Sequence, residues 1–315
     1  MIDPTPAVVV EHLSRSFGKL QAVDDLSFSV RRGELFGLVG PDGAGKTTTL
    51  RMLAGVMKPT AGDAVLNGVS VARDPERVKH QIAYMSQRFG LYADLTVIEN
   101  INFYADLYLV PKADRPARLE RLFAFSNLGS FQDRLAGALS GGMKQKLGLC
   151  CALIHQPSIL LLDEPTFGVD PISRRDLWLI IHEMVGQGTT VVVSTAYMDE
   201  AERFDRVVLL HRGRLQALDT PDALQRSLRG EILVVRSLRV REVQQIALGL
   251  PGVRSAAVFG ETVHLSVTSA EELRPLVESR LRQAGVAVGE VRAAAPSMED
   301  VFIAYMAVTE DRAHE

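Results

Sequence analysis

A chain of 315 residues is roughly two domains' worth, because one hydrophobic core usually serves about 100 to 200 residues. With 47% apolar and 23% charged residues it matches ordinary globular proteins, which excludes wholesale disorder, collagen-like repeats and coiled coils. A net charge of −3 supplies no global basic field, so no nucleic-acid partner is expected.

The N-terminal stretch Met1 to Val10 carries Asp3 and two prolines without a basic start, so no signal peptide is expected. Ala7 to Leu13 and Leu26 to Val30 are β-prone, and Arg31-Arg32-Gly33-Glu34 reads as a turn into the apolar run Leu35 to Val39. That run predicts a buried parallel strand, followed by a glycine loop and a helix over Thr48 to Val56. A strand over Ile82 to Ser86 comes next, and residues 88–138 then show helical spacing, broken at Pro111 to Pro116, which reads as a helical insertion. The helix Met143 to His155 overlaps the most apolar window, Leu147 to Leu162. His155, Gln156 and Pro157 break that window below the roughly 18 residues a membrane span needs. Cys150 and Cys151 are neighbours that can form neither an ordinary disulfide nor a metal cage, so buried thiols are expected.

Strands over Ser158 to Leu162 and Thr190 to Ser194, separated by a helix over Ser173 to Gly186, continue a β/α alternation that predicts an α/β fold with a parallel sheet. The first domain is expected to close near Thr220-Pro221 and its following helix, giving boundaries of 1–229 and 230–315. From Glu231 the order restarts: strand Ile232 to Arg236, helix Val240 to Leu248, strands Val253 to Phe259 and Val263 to Val267, helix Ala270 to Ala284, strand Val286 to Arg292. This βαββαβ order fits a small ferredoxin-like α+β domain.

Gly40-Pro41-Asp42-Gly43-Ala44-Gly45-Lys46-Thr47 matches G-x-x-x-x-G-K-T, a P-loop, and Thr48 continues it into the helix. Main-chain N–H groups must converge on a phosphate, which favours small residues at Gly40, Gly43 and Gly45. Lys46 adds a point charge for β and γ phosphates, and Thr47 offers a hydroxyl to Mg²⁺. The second element is the strand Ile159-Leu160-Leu161-Leu162, ending in Asp163 and Glu164, which should emerge beside the P-loop at the carboxyl end of the sheet. Period two sends the two carboxylates to different sides, one for Mg²⁺ and the other to act as general base toward the γ-phosphate.

Leu139-Ser140-Gly141-Gly142-Met143-Lys144-Gln145, about twenty residues before that acidic pair, resembles the LSGGQ signature of ABC-type ATPases. The resemblance covers about residues 7 to 228 and implies a P-loop NTPase core with a helical subdomain over about 88–155. It implies ATP and Mg²⁺ as ligands, with Glu164 as catalytic base and Asp163, Thr47 and Gln87 on the metal. It further makes Gln87 the Q-loop glutamine, Phe17 the aromatic on which adenine stacks, and Asp170 part of the D-loop. Ser140, Gly141 and Gly142 should meet the γ-phosphate bound by a second ABC ATPase domain, homo- or heterodimeric, arranged head to tail. The tract around Gly37 to Gly45, the stretch Leu95 to Asn100 and the extension Ser297 to Phe302 resemble the ATP-binding subunits of ABC-2 type drug exporters. Asp42, Met143 and Pro171 to Arg175 are similar to the first ATPase half of a tandem multidrug-exporter subunit. This implies a cytoplasmic chain, peripheral on the inner face of the cell membrane through an integral permease, with a C-terminal domain for regulation or dimer contacts. One departure stands out: Ser194-Thr195-Ala196 places alanine where the family has its switch histidine. The alternative implied is a degenerate, weakly hydrolysing module paired with an intact ATPase.

Overall fold

The computed structural model describes residues 5–87, 90–228 and 230–313. It divides into two compact units, residues 1–216 and 217–315. In chain order the first unit contains β1 (Val8–Phe17), β2 (Leu20–Val30), β3 (Leu35–Val39), α1 (Lys46–Leu53), β4 (Ala61–Leu66), β5 (Val69–Ser70), α2 (Pro75–Lys79) and β6 (Ile82–Met85). Next come α3 (Val97–Leu107), α4 (Arg115–Ser126), α5 (Gly141–Leu153), β7 (Ile159–Asp163), α6 (Pro171–Gly186), β8 (Thr190–Thr195) and β9 (Arg206–His211), with β10 (Arg214–Asp219) reaching the division.

Six strands form the main sheet in the order β10-β9-β3-β8-β7-β6, with parallel pairing from β9 through β6. Every residue of β3, β7 and β8 is buried. This explains why they read as continuous apolar runs rather than alternating ones: helices cover both faces of such a sheet. Register then decides the function of the carboxyl ends. Val39 pairs with Thr195 and Asp163 with Ser194, so the last residues of β3, β8 and β7 lie side by side. A second, four-stranded sheet, β2-β1-β4-β5, has antiparallel pairing.

The insertion is helical. A reciprocal capping box opens α3, with Thr96 Oγ1 accepting from Glu99 N and Glu99 accepting from Thr96 N. Both α3 and α4 pack on α5, whose Leu147, Leu149, Cys150 and Cys151 are buried. Burial pushes the Cys150 thiol up to about 12, so it is inert as a nucleophile. Among the described residues no helix is long and apolar enough to cross a membrane.

The second unit contains α7 (Pro221–Ser227), β11 (Glu231–Arg236), α8 (Val240–Leu248), β12 (Val253–Phe259), β13 (Thr262–Val267), α9 (Ala270–Gln283), β14 (Glu290–Ala294) and α10 (Met298–Ala313). Its sheet is antiparallel in the order β12-β13-β11-β14, the arrangement of a βαββαβ ferredoxin-like domain. The last strand starts later than the Val286 expected from sequence. Val286 is buried in the core while the chain loops, with Gly289 N donating to Arg236 O at 2.9 Å before pairing begins. Leu233 and Val235 of β11 enter the core with Val243 of α8 and Val277 of α9.

Helix α10, which the periodicity did not announce, begins with a second capping box. Ser297 N donates to Asp300 Oδ2 (2.8 Å) and Asp300 N to Ser297 Oγ (3.2 Å). His264 Nδ1 on β13 lies 3.0 Å from Asp300 Oδ1. Burial alone would raise the Asp300 carboxyl, but the hydrogen bonds from His264 and Ser297 outweigh it and hold its pKa below the usual carboxylate value. A carboxyl depressed on folding stabilises the fold above its unfolded pKa of about 3.9, and that contribution fades as pH falls through the folded value. Asp300→Asn should therefore cost about 1 kcal/mol at pH 7, and thermal unfolding of parent and variant should converge well below pH 4. A gap independent of pH would show that the charge contributes nothing.

Candidate functional site

The loop between β3 and α1 is shaped by its glycines. A Cβ on Gly40 would stand 2.3 Å from Leu210 O, and one on Gly45 2.6 Å from Ala22 O, with Gly45 at φ 103°. No larger residue fits either place. Gly45 is the N-cap of α1, whose own first turn carries no acidic side chain, so no residue of the helix itself offsets the positive end of its dipole. The loop borders an open cleft of about 790 Å³ that runs from Phe17 past Asp42 to Thr48 and on to Gln87 and Glu164. Such a main-chain cradle fits a polyphosphate. Phe17, the last residue of β1, is 43% exposed, with the Arg15 guanidinium 4.7 Å from its ring centroid. Its ring is therefore open enough for a base to stack.

Inside the cleft three acceptors satisfy the buried Lys46 ammonium: Gly40 O at 2.7 Å, Pro41 O at 3.0 Å and Glu164 Oε1 at 3.1 Å. Glu164 Oε2 accepts from Gln87 Nε2 at 3.0 Å. Here the alternation expected from sequence is corrected. The strand ends at Asp163 and Glu164 adopts φ 50°, a left-handed conformation uncommon for a non-glycine residue, so its carboxylate turns back to Lys46 rather than continuing the pleat. Asp163 Oδ1 accepts from Thr47 Oγ1 (2.9 Å) and Ser194 Oγ (2.7 Å), and Oδ2 accepts from Tyr84 OH (3.3 Å). Burial, followed by the Asp163 charge, pushes the Tyr84 phenol up to about 12, which keeps it a donor. Ser194 and Tyr84 were missed by the sequence reading. Their signal was positional, since each lies near the end of a strand adjacent to β7.

Thr47 and Asp163 are thus joined, and among the described residues no group of three or more His, Cys, Asp or Glu could hold a metal by itself. One carboxylate, one hydroxyl and a bound phosphate suit Mg²⁺, which keeps much of its water and rarely takes an all-protein cage.

Ser140, Gly141, Gly142 and Asp170 do not line this cleft. Ser140 caps α5 by accepting from Met143 N (3.3 Å), and Asp170 Oδ1 caps α6 by accepting from Ile172 N (3.1 Å) and Ser173 N (2.9 Å). These bonds hold the exposed Asp170 carboxyl below its ordinary pKa, the Ser173 backbone contributing most. The two helix starts touch, since a Cβ on Gly142 would stand 2.2 Å from Ser173 Oγ. Gly141 is exposed, with nothing within 4 Å of its Cβ position. Ala196 follows β8 directly, one residue after Thr195, whose carbonyl accepts from Gly40 N at 3.2 Å.

Comparison with known proteins identifies the family. Residues 23–167 match the ABC transporter family, and residues 220–306 match the C-terminal domain of DrrA1-3-like ATP-binding proteins. The chain is 44% identical over 285 residues to the probable multidrug ABC transporter ATP-binding protein YbhF of Escherichia coli, covering 90% of this chain and 48% of that protein. It therefore spans about half the length of that relative. It is 33% identical over 302 residues to the daunorubicin resistance ATP-binding protein DrrA2 of Streptomyces coeruleorubidus, covering 94% of each. A solved ATP-binding subunit of an ABC transporter superposes with a TM-score of 0.65 at 34% identity, over 70% of this chain and 92% of that one. The chain belongs to the ATP-binding proteins of ABC transporters.

Proposed function

We propose that the chain binds ATP with Mg²⁺ in the cleft at Lys46, hydrolyses it, and drives a separate ABC-2 type membrane permease that exports drug-like compounds. The observation that carries this reading is the convergence of Lys46 and Thr47, from one helix start, on Glu164 and Asp163, from one strand end, each pair within hydrogen-bond distance. The names of the relatives, multidrug and daunorubicin resistance, support the choice of cargo.

Adenine stacks on Phe17, and the N–H groups from Asp42 to Thr48 cradle the phosphates together with Gly40, Pro41 and Lys46. Thr47, Asp163 and the amide oxygen of Gln87 would hold Mg²⁺, which neutralises phosphate charge when bound. Glu164 accepts the proton of the attacking water, and Lys46 stabilises charge that develops on the γ-phosphate. Ser140 to Gly142, at a helix start outside the cleft, and the D-loop Asp170 serve the nucleotide of a second ATPase domain, head to tail with this one. The permease docks beside Gln87 in a groove of about 270 Å³ that also includes Leu91, Ala136 and Lys144, and so holds the chain to the inner face of the membrane. The unit from Ala217 onward serves regulation or dimer contacts.

A second reading rests on Ala196. With no side-chain donor there, binding survives while chemistry slows, and the chain works beside an intact ATPase partner.

Three measurements test this. Lys46→Ala abolishes turnover and, by leaving the Glu164 carboxylate buried without its counter-ion, lowers stability by on the order of 2 kcal/mol. Adding Glu164→Gln to it should restore the melting temperature but not turnover, and turnover in Lys46→Ala refutes the site. Glu164→Gln alone should bind ATP and accumulate a dimer by size-exclusion chromatography with little phosphate release; hydrolysis at the parental rate means another base acts. Ala196→His adds one preorganised donor, worth about 10²- to 10³-fold in rate, so it should raise kcat with little change in ATP affinity. If it changes nothing and the parent already turns over as fast as histidine-bearing relatives, the slow-site reading is wrong.

A further inference from the structure

Glu200 is 0% exposed, yet no role in nucleotide binding falls to it from the family resemblance. Its carboxylate is filled by three donors: Arg174 Nε at 2.8 Å, Trp178 Nε1 at 3.1 Å and Thr195 Oγ1 at 2.6 Å. Burying a charge costs more than burying an apolar side chain of similar volume, so such a network stabilises less than it specifies geometry. What it specifies is the turn after β8. The Thr195 hydroxyl donates to Glu200 and accepts from Tyr197 N at 3.0 Å, an ST-turn that closes over Ala196. The Arg174 guanidinium lies 4.8 Å from the Tyr197 ring centroid and pairs with Asp199 as well.

This turn adjoins the chemistry on both sides. Ser194 O accepts from Glu164 N (3.1 Å), and Thr195 O accepts from Gly40 N (3.2 Å). In the trans peptide after Thr195 the Ala196 N–H points opposite to the Thr195 carbonyl, away from Gly40 and toward the Glu164 side. There Glu164 has left the strand, and its carbonyl accepts from Phe167 N instead (3.1 Å).

We propose that Thr195 and Glu200 are positioning residues for ATP hydrolysis, locking the turn so that the main-chain N–H of Ala196, rather than a side chain, faces Glu164 and serves the γ-phosphate. The proposal rests on the ATPase reading above. It gives a chain with alanine at this place a donor toward the γ-phosphate, and it leaves room for an added histidine to increase turnover.

The test uses steady-state phosphate release by the full chain. Thr195→Val keeps the side chain's shape but deletes both hydroxyl bonds, and should lower kcat about tenfold or more with KM for ATP unchanged, since a small displacement of a positioned donor is costly. Thr195→Ser should restore the parental values. Ala196→Pro removes the N–H and should reproduce the loss in kcat. Parental kcat in Thr195→Val or in Ala196→Pro overturns the proposal, as does a rise in KM as large as the fall in kcat, or a Thr195→Ser chain as slow as Thr195→Val. A parental chain that releases no phosphate defeats the ATPase reading itself, which is a different result.

Discussion

The buried ion pair between Lys46 and Glu164 is the contact around which the first unit is organised. Two charges withdrawn from water are tolerated only when every proton and lone pair finds a partner, and here the Gly40 and Pro41 carbonyls and the Gln87 amide complete the set. That requirement fixes the P-loop backbone against the end of β7. It also explains the left-handed Glu164, because a pleated continuation would carry the carboxylate away from its ammonium. On the ATPase reading proposed above, a polyphosphate entering the cleft would compete for Lys46 and release Glu164 toward water.

The neighbouring Asp163 belongs to a different set of bonds, with Thr47, Ser194 and Tyr84. Two adjacent carboxylates thus acquire separate environments, one facing an ammonium and an amide, the other three hydroxyls. This division of labour arises from a single dihedral change at the strand end rather than from distance along the chain.

Much of this was legible in the sequence because it depended on local rules. Leu35 to Val39, Val240 to Leu248 and Val253 to Phe259 coincide with β3, α8 and β12, and in β3 and α8 the apolar run and the periodicity agree with burial. Less legible were β9 and β10, since Arg206–His211 pairs with β3, far away in the chain, and Arg214–Asp219 joins the sheet only through β9. The same limit applies to the site. Glycine spacing announced the cradle, and the family motif announced Ser140 to Gly142, but the bonds from Ser194 and Tyr84 to Asp163, and from Thr195 to Glu200, depend on strand register. Strand β14 was displaced from its expected start for a related reason: Val286 satisfies the core without joining the sheet.

On the proposed reading Asp163 and Thr47 hold Mg²⁺ while Glu164 acts on water beside the P-loop. Phosphate release by the purified chain, titrated with Mg²⁺ at fixed ATP against an EDTA control, tests it most directly. Hydrolysis should require the metal and fall steeply in Asp163→Ala, which lacks the carboxylate but retains Glu164. Equal phosphate release with and without the metal, or an Asp163→Ala chain with parental turnover and metal dependence, would contradict it.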